Sequence, residues 1–263
     1  MDRKICFFDL DGTLLSHQNN RVPASTVHSF SILHEKRIPC ILCSGRSFPE
    51  LDELKQVHDL HFDGYILLTG AYAADAMRQP LFVQAIDADT VGRTIAYLDA
   101  HHLAAVFTNA RGSWMNRHTQ RVAEVQKQIH TEPFAVGDMK RIHDGAIYQI
   151  TVYAKKKEAE NLLAEIPALR STWWHPLAFD ITDRHASKGA ALRKMCTHMG
   201  YAEADAVAFG DGNNDVDMME AAGLGIAMGN GSADCKAAAD YVTADIDDDG
   251  IYRALKHFGL VAC

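Results

Sequence analysis

The sequence predicts an α/β protein: a parallel-sheet core with right-handed crossovers, interrupted by an inserted α+β domain. Three observations carry this. Over about the first 70 residues, short apolar runs alternate with helical patterns, the signature of β-α-β units. About the last 80 residues repeat the style. Between them the pattern changes to alternating strands flanking amphipathic helices. The expected organisation is a discontinuous core of residues 1–81 and 182–263, with an inserted domain at 82–181.

The elements follow in order. KICFF is a short apolar, aromatic run, read as a buried strand. PASTVHSFSILHEKR carries Val27, Phe30, Ile32 and Leu33 at near-helical spacing, with Pro23 close to its start. IPCILCSGR is a second strand that ends in Ser-Gly. PELDELKQVHDL predicts a helix with Leu51, Leu54 and Val57 on one face, and GYILLTGAY a third strand. In the inserted stretch, FVQAI, AAVFTN, SWMNR, AIYQITVYA and STWWHPLAFDIT supply strand patterns. ADTVGRTIAYLDAHH and KKKEAENLLAEI supply helices, the first ending in His101 and His102 as a polar cap. SKGAALRKMCTHMG is a helix capped by Ser187 and closed by Gly200. DAVAFGD and GLGIAMG are strands; NDVDMMEAA, ADCKAAAD and GIYRALKHFG are helices.

The chain of 263 residues has ample material for a core, and its formal net charge of −8 argues against a nucleic-acid surface. No stretch reaches the roughly 18 apolar residues of a membrane span, and the N-terminus does not read as a signal peptide. Six cysteines, Cys6, Cys40, Cys43, Cys196, Cys235 and Cys263, mostly sit within apolar or helical patterns and read as small hydrophobes. Cys40 and Cys43 have CxxC spacing, but no second CxxC follows and the pair sits in a strand. A reducing cytoplasm is the expected setting. The sequence sets no oligomeric state.

Functional groups in parallel α/β sheets gather at the carboxyl ends of the strands. Here those ends carry Asp9 and Asp11 after the first strand, then Ser44, Gly45 and Arg46 after the second. After a late strand come Asp211, Asn213, Asn214 and Asp215, and Lys188 opens the helix before it. Acids, a hydroxyl and a lysine on one edge suit a hard divalent cation with a phosphate, because Mg²⁺ prefers oxygen ligands and shares them with substrate phosphate. A cation would relieve the repulsion among Asp9, Asp211 and Asp215. The Ser hydroxyl, a backbone N–H and the Lys ammonium can hold phosphate oxygens. One carboxylate can attack phosphorus, and one two residues along can carry a proton. Each piece alone has a plainer reading: DGT as a turn, Ser44-Gly45 as a loop, Lys188 as a solvated helix start. GDGNND and the later DIDDDG can be polar turns or open Ca²⁺ loops.

The four stretches DLDGT, SGR, SKG and GDGNND, in this order, resemble the motifs of the haloacid dehalogenase superfamily of phosphohydrolases. The insert between the second and third resembles the C2 cap of the Cof-type (IIB) subfamily. The resemblance implies a Rossmann-like parallel core with a C2B-type cap, and an Mg²⁺-dependent phosphatase of small phosphorylated metabolites such as sugar phosphates, nucleotides or pyridoxal phosphate. It makes Asp9 the nucleophile and a metal ligand. Asp11 becomes the general acid/base, with its carbonyl on the metal. Leu10 offers its backbone to the phosphate, Ser44 its hydroxyl and Gly45 its N–H. Lys188 bridges Asp9 and the phosphoryl group, Asp211 binds Mg²⁺ directly, Asp215 acts on it through water or orients its neighbours, and Asn214 contacts phosphate. Arg46 is expected to orient its loop or reach the substrate. Ser44 stands where the family often has Thr, and Thr69-Gly70 where Asn-Gly is common.

Two other readings share the residues. A phosphomutase or phosphotransferase would pass the phosphoryl group to a sugar hydroxyl, and a response-regulator-like phosphoacceptor would keep it. The insert is expected to close over the site and set specificity, with Arg111, Trp114, Arg117 and His118 as candidates. A cap hairpin with a packed Trp explains the same residues.

Overall fold

In the computed structural model, which describes residues 3–129 and 131–261, the chain separates into two compact units. One comprises Met1–Arg46, Glu50–Phe82 and Ser187–Cys263; the other comprises Ser47–Pro49 and Val83–Ala186. The chain opens with β1 (Ile5–Asp9), α1 (Ala24–Glu35), β2 (Cys40–Cys43), α2 (Phe48–Asp52), β3 (Gly64–Leu67), β4 (Tyr72–Asp75) and β5 (Pro80–Val83). The second unit holds α3 (Ala88–Ala100), β6 (Ala104–Asn109), β7 (Gly112–Met115), α4 (Gln120–Ile129), β8 (Ile147–Tyr153), α5 (Lys156–Glu165), β9 (Leu169–His175) and β10 (Ala178–Asp183). The chain closes with α6 (Lys188–Met199), β11 (Ala206–Gly210), α7 (Val216–Ala221), β12 (Leu224–Ala227), α8 (Ala233–Ala238), β13 (Tyr241–Val242) and α9 (Gly250–His257).

The first unit is built on an eight-stranded sheet in the order β13-β12-β11-β1-β2-β3-β4-β5. From β13 to β3 every pairing is parallel. The early chain runs outward from β1 through β2 and β3, and the late chain runs outward the other way through β11 and β12. The carboxyl end of β1 is therefore the point where strand order reverses, the place where such sheets open a crevice. All five residues of β1 are buried, as a strand covered on both faces requires. On one face Phe8 stacks on Phe209 at 5.0 Å and tilts against Phe30 of α1 at 4.8 Å. On the other, Ile5, Phe7, Ile41 and Ala208 pack with Leu192, Met195 and Met218.

The expected parallel core runs from β13 to β3, and the sheet continues beyond it. After β3 the chain turns through Leu68–Gly70 and returns antiparallel as β4. PELDELKQVHDL differs from the single helix expected. It forms one helical turn, α2, and then a 3₁₀ turn at Lys55–Val57. Leu54 between them leaves the helical region, at φ −90° and ψ 82°. Leu51 and Val57 are both buried, so two short turns place the apolar residues inward without one continuous helix.

The caps of α6 agree with expectation. Ser187 Oγ accepts a hydrogen bond from the Ala190 N–H at 3.0 Å, and Gly200 ends the helix at φ 74°. The second unit is a five-stranded sheet, β7-β6-β8-β10-β9, with antiparallel pairings throughout. Phe107, Ile150, Val152 and Phe179 pack on one face with Leu98 of α3 and Leu162 of α5. Val106, Met115 and Tyr153 pack on the other with Val122 and Val125 of α4. His101 closes α3, its Nδ1 3.0 Å from the Tyr97 carbonyl oxygen.

Cys6, Cys40, Cys43, Cys196 and Cys235 are free and buried; Cys263 lies outside the described residues. Cys40 and Cys43 are three apart on one strand and face opposite sides of the sheet. No helix among the described residues is long and apolar enough to cross a membrane.

Candidate active site

Asp9 ends β1 and is 5% exposed. A carboxylate at that depth needs a partner, and Lys188 provides one. Its Nζ donates to Asp9 Oδ1 at 2.5 Å and to Asp215 Oδ1 at 2.6 Å. Lys188 and Asp215 are both fully buried. Burial alone would depress the Lys188 pKa, but Asp215 and Asp9 beside it hold it above the ordinary lysine value.

Asp215 braces the loop after β11. Its Oδ2 accepts from the backbone N–H groups of Asp211 at 3.0 Å and Gly212 at 2.9 Å. Asp211 is steered by Thr13, whose hydroxyl donates to Oδ1 at 2.9 Å. Asp9, Asp211 and Asp215 each offer a carboxylate oxygen, all within 4.8 Å of one another. Burial first, and then Asp215, raise Asp9 well above the carboxylate range and push Asp211 up to about 6. Three acids thus converge on a single bonded ammonium, and the set is short of positive charge. An all-oxygen donor group with that deficit fits a hard divalent cation.

Gly12 makes this convergence possible. Its φ is +89°, and a Cβ there would lie 2.3 Å from Asp211 Oδ2. The Asp211 carboxylate therefore rests directly against the backbone that follows Asp11.

Asp11 stands apart from the acidic cluster. Arg46 grips it in a two-pronged pair, Nε to Oδ2 and Nη2 to Oδ1, both at 2.8 Å. Ser44 is buried at the end of β2, and its hydroxyl accepts from the Arg46 N–H at 3.1 Å. Gly45 lies between them in the same turn. Leu10 is fully buried, and its carbonyl accepts from Leu14 and Leu15 at 2.9 and 2.8 Å. Asn214 sits half-buried in the 3₁₀ turn Asn213–Asp215. Asp9, Asp211, Asp215 and Lys188 thus form one bonded cluster; Asp11, Ser44 and Arg46 form a second.

These motifs span the chain, and the family model of the haloacid dehalogenase-like hydrolases matches residues 6–255. The chain belongs to that family. Among relatives of this hydrolase, a Streptococcus pyogenes chain whose name pairs a phosphatase with a peptidyl-prolyl cis-trans isomerase is 29% identical over 98% of this chain; this chain spans 54% of its length. Pyridoxal phosphate phosphatase YbhA of Escherichia coli is 27% identical, over 95% of this chain and 97% of that one. Of solved structures, the phosphatase BT1666 of Bacteroides thetaiotaomicron superposes with a TM-score of 0.93 at 28% identity, covering 98% of this chain and 96% of that one. The subclass IIB sugar phosphatase BT4131 gives 0.87 at 30% identity, covering 98% and 100%. This hydrolase is a phosphatase of the same superfamily and Cof-type subclass.

One support of the site escaped sequence reasoning, and a second stands in the sequence only as a departure from the family pattern at Thr69-Gly70. Asn230 donates from Nδ2 to the Gly12 carbonyl at 2.7 Å and accepts from the Ile246 N–H at 3.0 Å. Its signal was its place just past β12, at the same sheet edge as the acids. The second support is the turn at Leu68–Gly70. Leu68 and Thr69 adopt left-handed φ of 52° and 54°, and a Cβ on Gly70 would lie 2.1 Å from the Ser187 carbonyl oxygen. That turn packs on the start of α6 and so on Lys188. Gly189 is equally constrained, since a Cβ there would lie 2.1 Å from the Asp217 carbonyl oxygen.

Other candidates resolve into structure. In DIDDDG, Asp247 accepts from Ser16 and Asn19, and Asp249 accepts from Ser25. These acids tie the segment to residues 16–25. Within the second unit, Trp114 is buried beside Phe107 with Arg141 over its ring. Arg117 pairs with Asp99, His118 Nε2 lies 3.0 Å from the Phe134 carbonyl oxygen, and Arg111 is exposed.

Proposed function

We propose that this phosphatase hydrolyses small phosphorylated metabolites with Mg²⁺ through an aspartyl phosphate on Asp9. The observation that carries the reading is the buried Lys188 bonded at once to Asp9 and Asp215, with Asp211 beside them. Asp9, Asp211 and Asp215 would hold the cation, with the Asp11 carbonyl. When bound, Mg²⁺ supplies the positive charge that lets these carboxylates stay ionised together beside a phosphoryl group.

In the first half-reaction the Asp9 carboxylate attacks phosphorus, the ester P–O bond breaks, and Asp11 gives its proton to the leaving oxygen. In the second, Asp11 takes a proton from water, the water oxygen attacks phosphorus, and the Asp9–phosphorus bond breaks to release inorganic phosphate. Lys188 would hold Asp9 in line and meet a phosphoryl oxygen. The Leu10 backbone, the Ser44 hydroxyl, the Gly45 N–H and Asn214 would hold the others. Arg46 would keep the Asp11 carboxylate apart from the cation ligands and aimed at the leaving oxygen. The inserted unit would act as the cap that selects the ester, and its antiparallel sheet with flanking helices supports that role. The acidic net charge speaks for a small-molecule substrate over nucleic acid, and buried free thiols fit a cytoplasmic setting.

The test is phosphate release across sugar phosphates, nucleotides and pyridoxal phosphate with Mg²⁺, run beside Asp9→Asn. Release from a subset of esters, abolished in a folded Asp9→Asn, is expected. Turnover that survives in Asp9→Asn, or a product carrying the phosphoryl group on another hydroxyl, would overturn the reading.

A further inference from the structure

A second set of metal-ligating side chains meets at the opposite edge of the sheet, where β2 and β3 begin. His34 lies in the last turn of α1, Cys40 is the first residue of β2, and Asp63 immediately precedes β3. One donor atom from each, an imidazole nitrogen, the Cys40 Sγ and a carboxylate oxygen, lies within 4.8 Å of the others. We propose that these three residues form a site for a borderline transition-metal cation of the Zn²⁺ type, separate from the acidic cluster at Asp9.

Four observations support it. The first is that His34 Nε2 is buried and makes no hydrogen bond. It sits 3.4 Å from Asp63 Oδ2, within ion-pair range but outside hydrogen-bond geometry. This ring nitrogen thus faces the Asp63 carboxylate without a hydrogen bond, while the Cys40 S–H is directed at the Ile38 carbonyl at 3.7 Å. Second, the residues are held in place by backbone. Asp63 Oδ2 accepts from the Cys40 N–H at 2.8 Å, and the Asp63 N–H donates to the Cys40 carbonyl at 2.9 Å. Asp63 and Cys40 are thereby locked to each other across the starts of two neighbouring strands. Third, the end of α1 is fixed: Arg37 takes a left-handed φ of 57° just past the helix, and the Ile38 N–H donates to the Leu33 carbonyl at 2.9 Å, a cap that sets where the chain leaves His34. Fourth, the donor set is nitrogen, sulfur and oxygen. A thiolate and an imidazole disfavour Mg²⁺ and Ca²⁺, which take oxygen, and suit Zn²⁺ or its neighbours. Three protein ligands leave one position for water or for the His61 ring, whose centroid lies 5.2 Å from that of His34.

On binding, the Cys40 S–H bond gives its proton to solvent as the sulfur–metal bond forms. The cation would pin the end of α1 to the amino ends of β2 and β3, a structural clamp remote from the phosphoryl chemistry.

Co²⁺ is the probe. Chelator-treated protein is titrated with Co²⁺ in a large excess of Mg²⁺, and the readout is the thiolate band, which cobalt held by carboxylate oxygens alone does not give. One equivalent of Co²⁺ producing a near-ultraviolet thiolate-to-cobalt absorption band, displaced by Zn²⁺, is expected. His34→Gln and Asp63→Asn should weaken cobalt binding by about tenfold or more, and Cys40→Ser should remove the band. Cys235→Ser should leave the band intact. Because Cys40→Ser alters a buried strand, His34→Gln, at a partly exposed helix position, carries the decision, with far-ultraviolet circular dichroism confirming its fold. Absence of the band, or a band that His34→Gln leaves unchanged, would overturn the proposal. Phosphatase activity is not read, so this test and that of the proposed function fail independently.

Discussion

Asp9 and Asp11 leave the same strand two residues apart, yet their carboxylates take different partners. Asp9 is paired with Lys188 at 2.5 Å inside the protein, and Asp11 is gripped by Arg46 nearer the surface. The arrangement separates a group suited to attack phosphorus from one suited to move a proton. Asp11→Asn should lower kcat by about 10²–10⁴-fold. With an activated aryl phosphate it should also trap phosphate on Asp9, whereas Asp9→Asn should trap none. Arg46→Ala should lower kcat by about tenfold or more with a smaller change in KM, because it loosens the aim of Asp11 without removing it. Equal trapping in the two aspartate variants, or unchanged turnover in Arg46→Ala, would contradict these separate roles.

Among elements, α6 matters most to the site because its first residue is Lys188. The Ser187 cap sets where the helix starts, and the left-handed turn at Leu68–Gly70 presses on that start from the side. Ser187→Ala should cost about 1 kcal/mol of stability, read as a lower urea midpoint with unchanged m-value. It should also lower kcat, since an unfixed first turn lets Lys188 shift from Asp9. A stability loss with wholly unaltered kinetics would show that Lys188 is held by its two carboxylates alone. α2 and β4 teach the complementary lesson. Apolar spacing located Leu51 and Val57 on the inside, but the break at Leu54 arises from packing that no local pattern records.

For the whole molecule, the acidic cluster links metal, pH and stability. Asp211 is held at about 6 by burial and Asp215, above the ordinary carboxylate value near 4. A carboxyl whose folded pKa is raised favours the fold when protonated. Its contribution is full below about pH 4 and is lost as pH rises through about 6. Metal-free protein should therefore lose stability from this group across that interval, and Asp9, raised by burial and Asp215, acts in the same direction. Mg²⁺ should restore what ionisation removes. The rise in Tm on adding Mg²⁺ should be clearly larger at about pH 7.5 than at about pH 5. An equal rise at both would argue that the cation binds elsewhere.

By itself the sequence determined the alternation of strands and helices, the capped start of α6 and the four chemical stretches. Each of these is a local matter of apolar period, cap residue or turn residue. It also supplied the family resemblance that the match over residues 6–255 establishes. Only tertiary structure decided which groups share a partner. Lys188 and Asp9 are 179 residues apart, Thr13 and Asp211 are 198 apart, and Asn230 and Gly12 are 218 apart. Such pairings come from the order of strands in the sheet, which no spacing along the chain encodes. The same holds for His34, Cys40 and Asp63. The CxxC spacing of Cys40 and Cys43 reads as no site, and the strand bears that out by turning residues three apart to opposite faces. The end of a helix and the start of the neighbouring strand supply the real neighbours instead, because the fold brings them together in space.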